Sequence, residues 1–237
     1  MTAFDFSSYD ALTFDCYGTL IDWEAGLLAA LRPVLDAHAP GGADQIDAET
    51  LLSAYARHEA ALEAGDYLSY REILGSALMG VCAEIGAFPE EDEIAAFAEA
   101  VGDWPAFPDS ARALARLATR FKLGVITNCD DDLFARSAAR LGVSFDWVIT
   151  AQQVHSYKPD PNNFEVAFAK INVPRERILH VAQSIFHDHV TAKALGMATV
   201  WIDRRAGREG TGATPPAHAE PDLTFHDMAS FADAALA

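Results

Sequence analysis

Residues 110–150 read SARALARLATRFKLGVITNCDDDLFARSAARLGVSFDWVIT. Ser110–Arg120 repeats Ala, Leu and Arg at helical spacing, and Pro108-Asp109 before it supplies a cap. Lys122–Asn128 (KLGVITN) is then a short apolar run. Asp132–Leu141 returns to helical spacing and stops at Gly142, and Trp147–Thr150 (WVIT) is apolar again. The short runs are continuous rather than alternating, as expected of strands buried on both faces of a parallel sheet. Helix and strand taking turns predicts βα units and a doubly wound α/β sheet.

Outward from this stretch, Ala11–Asp15 (ALTFD), Ile178–Gln183 (ILHVAQ), Thr199–Asp203 (TVWID) and the weaker Asp222–Phe225 (DLTF) read as further strands. Asn163–Ile171 and Val190–Leu195 read as helices. From Trp23 to Trp104 the alternation stops, and helix follows helix: Glu24–His38, Ala48–Ala64, Tyr70–Ile85 and Glu90–Val101. Gly41-Gly42, Gly65-Asp66 and Gly86 separate them. The expected organisation is a Rossmann-like core of residues 1–21 and 105–237, with a helical cap of residues 22–104 inserted after the first core strand.

The chain has 237 residues, 51% of them hydrophobic and 22% charged, which is enough to bury a core. A formal charge of −18 repels phosphate backbones and anionic lipid, so neither nucleic acid nor membrane is an expected partner. Cys16, Cys82 and Cys129 are widely spaced and form no CxxC pair, which points to a reducing compartment and a cytoplasmic protein. The amino end, MTAFDFSSYDALTFD, lacks the positive region of a signal peptide.

In an open α/β sheet, ligands bind beyond the carboxyl ends of the strands. Asp15-Cys16-Tyr17-Gly18-Thr19 follows the first strand, and Thr127-Asn128 ends another. Lys158-Pro159-Asp160 precedes a helix, and Ser184-Ile185-Phe186-His187-Asp188 follows ILHVAQ. A carboxylate, a hydroxyl–amide pair, an ammonium and a second carboxylate are thus expected to converge.

These four ordered motifs resemble the haloacid dehalogenase superfamily. Its phosphatases carry a second Asp two positions after the nucleophile, where this chain has Tyr17, and an Mg²⁺-binding carboxylate where it has Gln183. An alkoxide leaving group needs that acid's proton, whereas a halide needs none. With both carboxylates replaced, the chain resembles the metal-free (S)-2-haloacid dehalogenase branch.

That resemblance implies no cofactor, no metal, a homodimer, and a small 2-haloacid substrate. Asp15 would attack Cα, expel halide and form an aspartyl ester, which water hydrolyses to a 2-hydroxy acid. Lys158 would hold Asp15 ionised, Thr19 would hydrogen-bond it, and Asp188 would fix Lys158 and the water. Thr127, Asn128 and the backbone N–H groups of the Cys16-Tyr17 loop would bind the substrate carboxylate, with Gln183 beside them.

The branch's water-orienting Ser and Asn are Gln183 and Ile185 here, and a branch tyrosine is Phe164. His187 is therefore expected to act as the base, oriented by Glu24 at the root of the cap. Arg57, or its rival Arg71, is expected to guide the halide. The alternatives are an Mg²⁺-dependent phosphatase and a retired member that binds a small acid or a partner.

Overall fold

The computed structural model describes residues 4–208, 210 and 212–237. Strand β1 spans Ala11–Phe14, and helices α1 (Trp23–His38), α2 (Ala48–Glu63), α3 (Tyr70–Ile85), α4 (Glu91–Glu99) and α5 (Ser110–Leu117) follow. Then come β2 (Lys122–Thr127), α6 (Asp131–Leu141), β3 (Trp147–Thr150), α7 (Ala151–Val154) and α8 (Asn162–Lys170). The chain ends with β4 (Ile178–Ala182), α9 (Val190–Ala194), β5 (Ala198–Ile202), β6 (Leu223–Phe225) and α10 (Met228–Ala235).

Among the described residues, six strands form one sheet in the order β3-β2-β1-β4-β5-β6, and every neighbouring pair is parallel. The chain builds outward from β1 through β2 to β3, then returns to lay β4 on the other side of β1. Phe14 is in register with Val125 of β2 and Val181 of β4, so the ends of three strands lie side by side. That is the point where strand order reverses and an open sheet leaves a crevice.

All four residues of β1 are buried, as its continuous apolar run predicts. Alternate side chains point to opposite faces. Leu12 and Phe14 join the larger core, while Ala11 packs in a second cluster with Ile126, Phe164 and Ile178. Each large side chain taken fully from water contributes about 1.5–3 kcal/mol.

The helices between β1 and β2 start and stop by local chemistry. Asp22, Asp47 and Ser69 each accept a backbone N–H of the first turn of α1, α2 and α3, and Glu72 completes a capping box with Ser69. Gly86 ends α3 in the left-handed conformation. Helix α1 lies on Trp104 through Gly26, where a Cβ would stand 2.2 Å from the indole Cγ.

Three features differ from the sequence expectations. Helix α4 gives way at Ala100–Asp103 to a tighter 3₁₀ turn, where Gly102 lowers helical propensity. Ile185–His189 forms a single π turn, and α7 and α10 are additional helices. No helix of the described residues is long and apolar enough to cross a membrane.

Candidate active site

Asp15 is the first residue beyond β1, and its backbone N–H donates to Val181 O of β4 at 3.1 Å. Its side chain is almost fully buried. Oδ1 accepts from Lys158 Nζ at 2.8 Å and Oδ2 from Thr19 Oγ1 at 2.6 Å. Thr19 Oγ1 in turn accepts the backbone N–H of Gln183 at 2.8 Å. Gly18, at φ +90°, makes the turn that brings Thr19 back over Asp15.

An ammonium has three donors. Lys158 Nζ donates to Asp15 Oδ1 at 2.8 Å, Asp188 Oδ1 at 2.8 Å and the carbonyl of Ile126 at 2.9 Å, so all three are used. Asp188 Oδ1 also meets His180 Nε2 at 3.0 Å. The two carboxylates hold Lys158 charged despite its burial. They affect each other differently. Burial pushes the Asp15 carboxyl up and the charge of Asp188 adds to this, while Lys158 and Thr19 pull it back. Asp188 is held low by Lys158 and His180, against its own burial.

Asn128 fixes the lysine's backbone: Oδ1 accepts Lys158 N–H at 2.7 Å and Nδ2 donates to Lys158 O at 3.0 Å. The Asn128 amide also donates to Glu63 Oε1 at 3.0 Å. Tyr17 presents its ring to the cleft, while its hydroxyl lies 2.9 Å from Ser137 Oγ and accepts the Cys129 thiol at 3.3 Å. Burial raises the Tyr17 phenol well above its ordinary range. Cys16 is fully buried; its carbonyl accepts the N–H groups of Leu20 and Ile21. Thr127 is buried and is not among the cleft's lining residues, and Gln183 turns its side chain toward Gly18 instead.

The cleft over Asp15 has a volume of about 340 Å³ and is shared by the sheet edge and helices α1–α3. Trp23, Glu59, Glu63, Tyr70 and Ser184 line it beside the expected residues. Glu59 accepts both Tyr55 Oη at 3.0 Å and Tyr70 Oη at 2.9 Å on one oxygen. Burial first, and the charge of Glu63 second, raise its carboxyl well above the ordinary range.

Two expectations are corrected. His187 lines the cleft, with Nδ1 3.0 Å from Ser184 Oγ, but Nε2 faces Glu63 Oε2 at 3.5 Å rather than Glu24. Glu24 is drawn away by Arg205, whose Nη1 stands 2.6 Å from both of its carboxylate oxygens. Nor does Arg57 or Arg71 line the cleft. Arg57 is exposed and pairs with Glu84 at 2.9 Å, and Arg71 is held by Glu99, Asp130 and Asp132. The sequence did contain a sign of the missed pair. Glu59 and Glu63 continue the helical spacing of Leu52 and Tyr55 along one face of α2, where a carboxylate is out of place unless it has partners.

A buried carboxylate gripped at both oxygens is oriented for nucleophilic attack, with an ammonium to stabilise charge that develops on it. Residues 9–196 match the family model described as haloacid dehalogenase-like hydrolase. The chain is 25% identical over 210 residues to (S)-2-haloacid dehalogenase H-109 of Pseudomonas putida, covering 87% of this chain and 91% of that protein. It is 27% identical over 205 residues to haloacetate dehalogenase H-2 of Moraxella sp. (strain B), covering 82% and 86%. Its fold resembles the L-2-haloacid dehalogenase of Xanthobacter autotrophicus solved with chloropropionic acid covalently bound, with a TM-score of 0.77, 21% identity, and coverage of 95% and 97%. The chain belongs to the haloacid dehalogenase-like hydrolases.

Proposed function

We propose that this chain hydrolyses short (S)-2-haloacids to 2-hydroxy acids and halide, through an ester on Asp15 and without a metal. One observation carries the reading: Asp15 is gripped at both oxygens and aimed by Lys158 and Thr19, while Tyr17 stands where a phosphatase needs an acid. The Tyr17 hydroxyl is engaged by Ser137 and Cys129, and its raised pKa makes it a poor proton donor. Leaving groups that depart without a proton are therefore favoured. The ammonium of Lys158 bridges Asp15 and Asp188, supplying from the chain itself the cation that links two carboxylates. The named relatives support the same substrate class.

In this reading, residues 22–104 form the cap over a core of residues 1–21 and 105–237. Asp15 attacks the halogen-bearing carbon and halide leaves. Both amide hydrogens of Asn128 are engaged by Lys158 and Glu63, so the first-loop backbone receives the substrate carboxylate, and Lys158 stays charged throughout. A cytoplasmic homodimer completes the proposal, on the unpaired cysteines and the family resemblance.

Halide release from bromoacetate and (S)-2-chloropropionate in EDTA tests it. Wild type should release halide and Asp15→Asn should not. Release that requires added Mg²⁺, or that survives Asp15→Asn, would refute it.

A further inference from the structure

Resting on the dehalogenase reading, a second question is what delivers water to the ester. The side chains at 183 and 185 are Gln and Ile. Asp188 Oδ1 is already committed to Lys158 and His180, and its unpartnered Oδ2 belongs to a residue that does not line the cleft. On the cleft wall, His187 Nε2 and Glu63 Oε2 face one another at 3.5 Å. Both atoms are buried, and neither has a hydrogen-bonding partner within the protein. An unmatched buried polar atom costs about 1–3 kcal/mol, so two of them in one cleft call for a function.

Both side chains are fixed from behind. His187 Nδ1 lies 3.0 Å from Ser184 Oγ, and Glu63 Oε1 accepts from Asn128 Nδ2 at 3.0 Å. The free atoms are therefore aimed at each other, yet their separation exceeds a direct N–H···O bond of about 2.7–3.2 Å. One water could donate a proton to each. Both of its hydrogens would then be engaged and an oxygen lone pair would be left for attack. Glu63 and Lys158 also line a neighbouring cavity of about 770 Å³, which offers that water a second route to the cleft.

We propose that His187 and Glu63 hold the hydrolytic water between them, and that His187 is its general base. The role requires the tautomer in which Nδ1–H donates to Ser184 Oγ and Nε2 carries the lone pair. The water's oxygen bonds to Asp15 Cγ as its proton passes to Nε2. Lys158 Nζ stabilises the charge on the carboxyl oxygen. The Cγ–O bond to the substrate then breaks, the departing alkoxide takes the proton back from Nε2, and the water's second proton, left on the Asp15 carboxyl, is released to solvent to return the carboxylate. One water is consumed, Asp15 is restored, and no redox change occurs.

The test is rapid-quench halide release from (S)-2-chloropropionate, with the mass of the Asp15 peptide read in parallel. Wild type, His187→Asn and Glu63→Gln are compared, and thermal melting confirms that each is folded. Both variants should release about one halide per site as fast as wild type. Turnover should then slow by about 100-fold or more, as expected for loss of a general base, with ester accumulating on Asp15. Unchanged turnover would overturn the proposal, and so would loss of the first halide in a folded variant. If quenched wild type never carries an ester, the dehalogenase reading itself fails and takes the proposal with it.

Discussion

Lys158 and Glu59 show how one cleft keeps one group charged and another neutral. Lys158 has lost its water but gained two carboxylates and a carbonyl, so the charged form persists. Glu59 has only tyrosine hydroxyls for company and a second acid nearby, so burial decides and favours the protonated form. A carboxyl raised in the folded state binds a proton that the unfolded chain has released. Its contribution to stability is full below the ordinary value of 4.5 and is lost as pH rises from there through its raised folded value. We therefore expect Glu59→Gln, which cannot titrate, to lose less stability than wild type between pH 5 and pH 8. Urea midpoints at the two pH values measure this, and an unchanged difference would show that Glu59 is ionised in the fold. Helical spacing puts Glu59 and Glu63 on the face of Tyr55, but their partners Tyr70 and Asn128 come from other elements and are not marked locally.

At the scale of elements, Gly26 links α1 to the nucleophile loop. It lets the helix rest on Trp104, whose ring meets Tyr17 edge-on at 5.9 Å between centroids. Two effects compete in Gly26→Ala. Helix propensity would favour alanine by about 1 kcal/mol. The added Cβ would meet the indole at 2.2 Å, and overpacking costs about 1–3 kcal/mol. A contact that short lies inside a buried ring rather than at a flexible chain end, so packing should win. We expect a net loss of up to about 2 kcal/mol in urea unfolding; stabilisation would show that α1 shifts freely.

The strands were legible because a parallel sheet buries both faces and leaves continuous apolar runs, as in Ala11–Phe14. The inserted helices were legible from their spacing and glycine breaks. The π turn at Ile185–His189 was not, because it depends on Ser184 accepting His187 N–H at 2.9 Å and on the buried surroundings of Asp188. The grouping of Asp15, Thr19, Lys158 and Asp188 followed from the strand order. Which acid faces His187 did not, since that choice was made by Arg205, whose Nη2 also pairs with Glu49 at 2.7 Å.

Over the whole molecule, a formal charge of −18 surrounds a cleft whose lining includes Asp15 and Glu63 against the ammonium of Lys158. A haloacid anion must approach against that field, and salt screens it, with a Debye length of about 30 Å at 0.01 M and about 8 Å at 0.15 M. We expect kcat/KM for bromoacetate to rise between these ionic strengths, and by less for bromoacetamide, which carries no charge. Equal responses from the two would mean that the cleft offsets the global field.

The proposed function centres on an ester at Asp15, and oxygen-18 reads it. After several turnovers of (S)-2-chloropropionate in H₂¹⁸O, the enzyme is digested and the peptide carrying Asp15 is weighed. Attack by Asp15 followed by hydrolysis at Cγ leaves the label in the Asp15 carboxylate. A labelled product beside an unlabelled Asp15 peptide would mean that water attacks the substrate directly and that Asp15 is not the nucleophile.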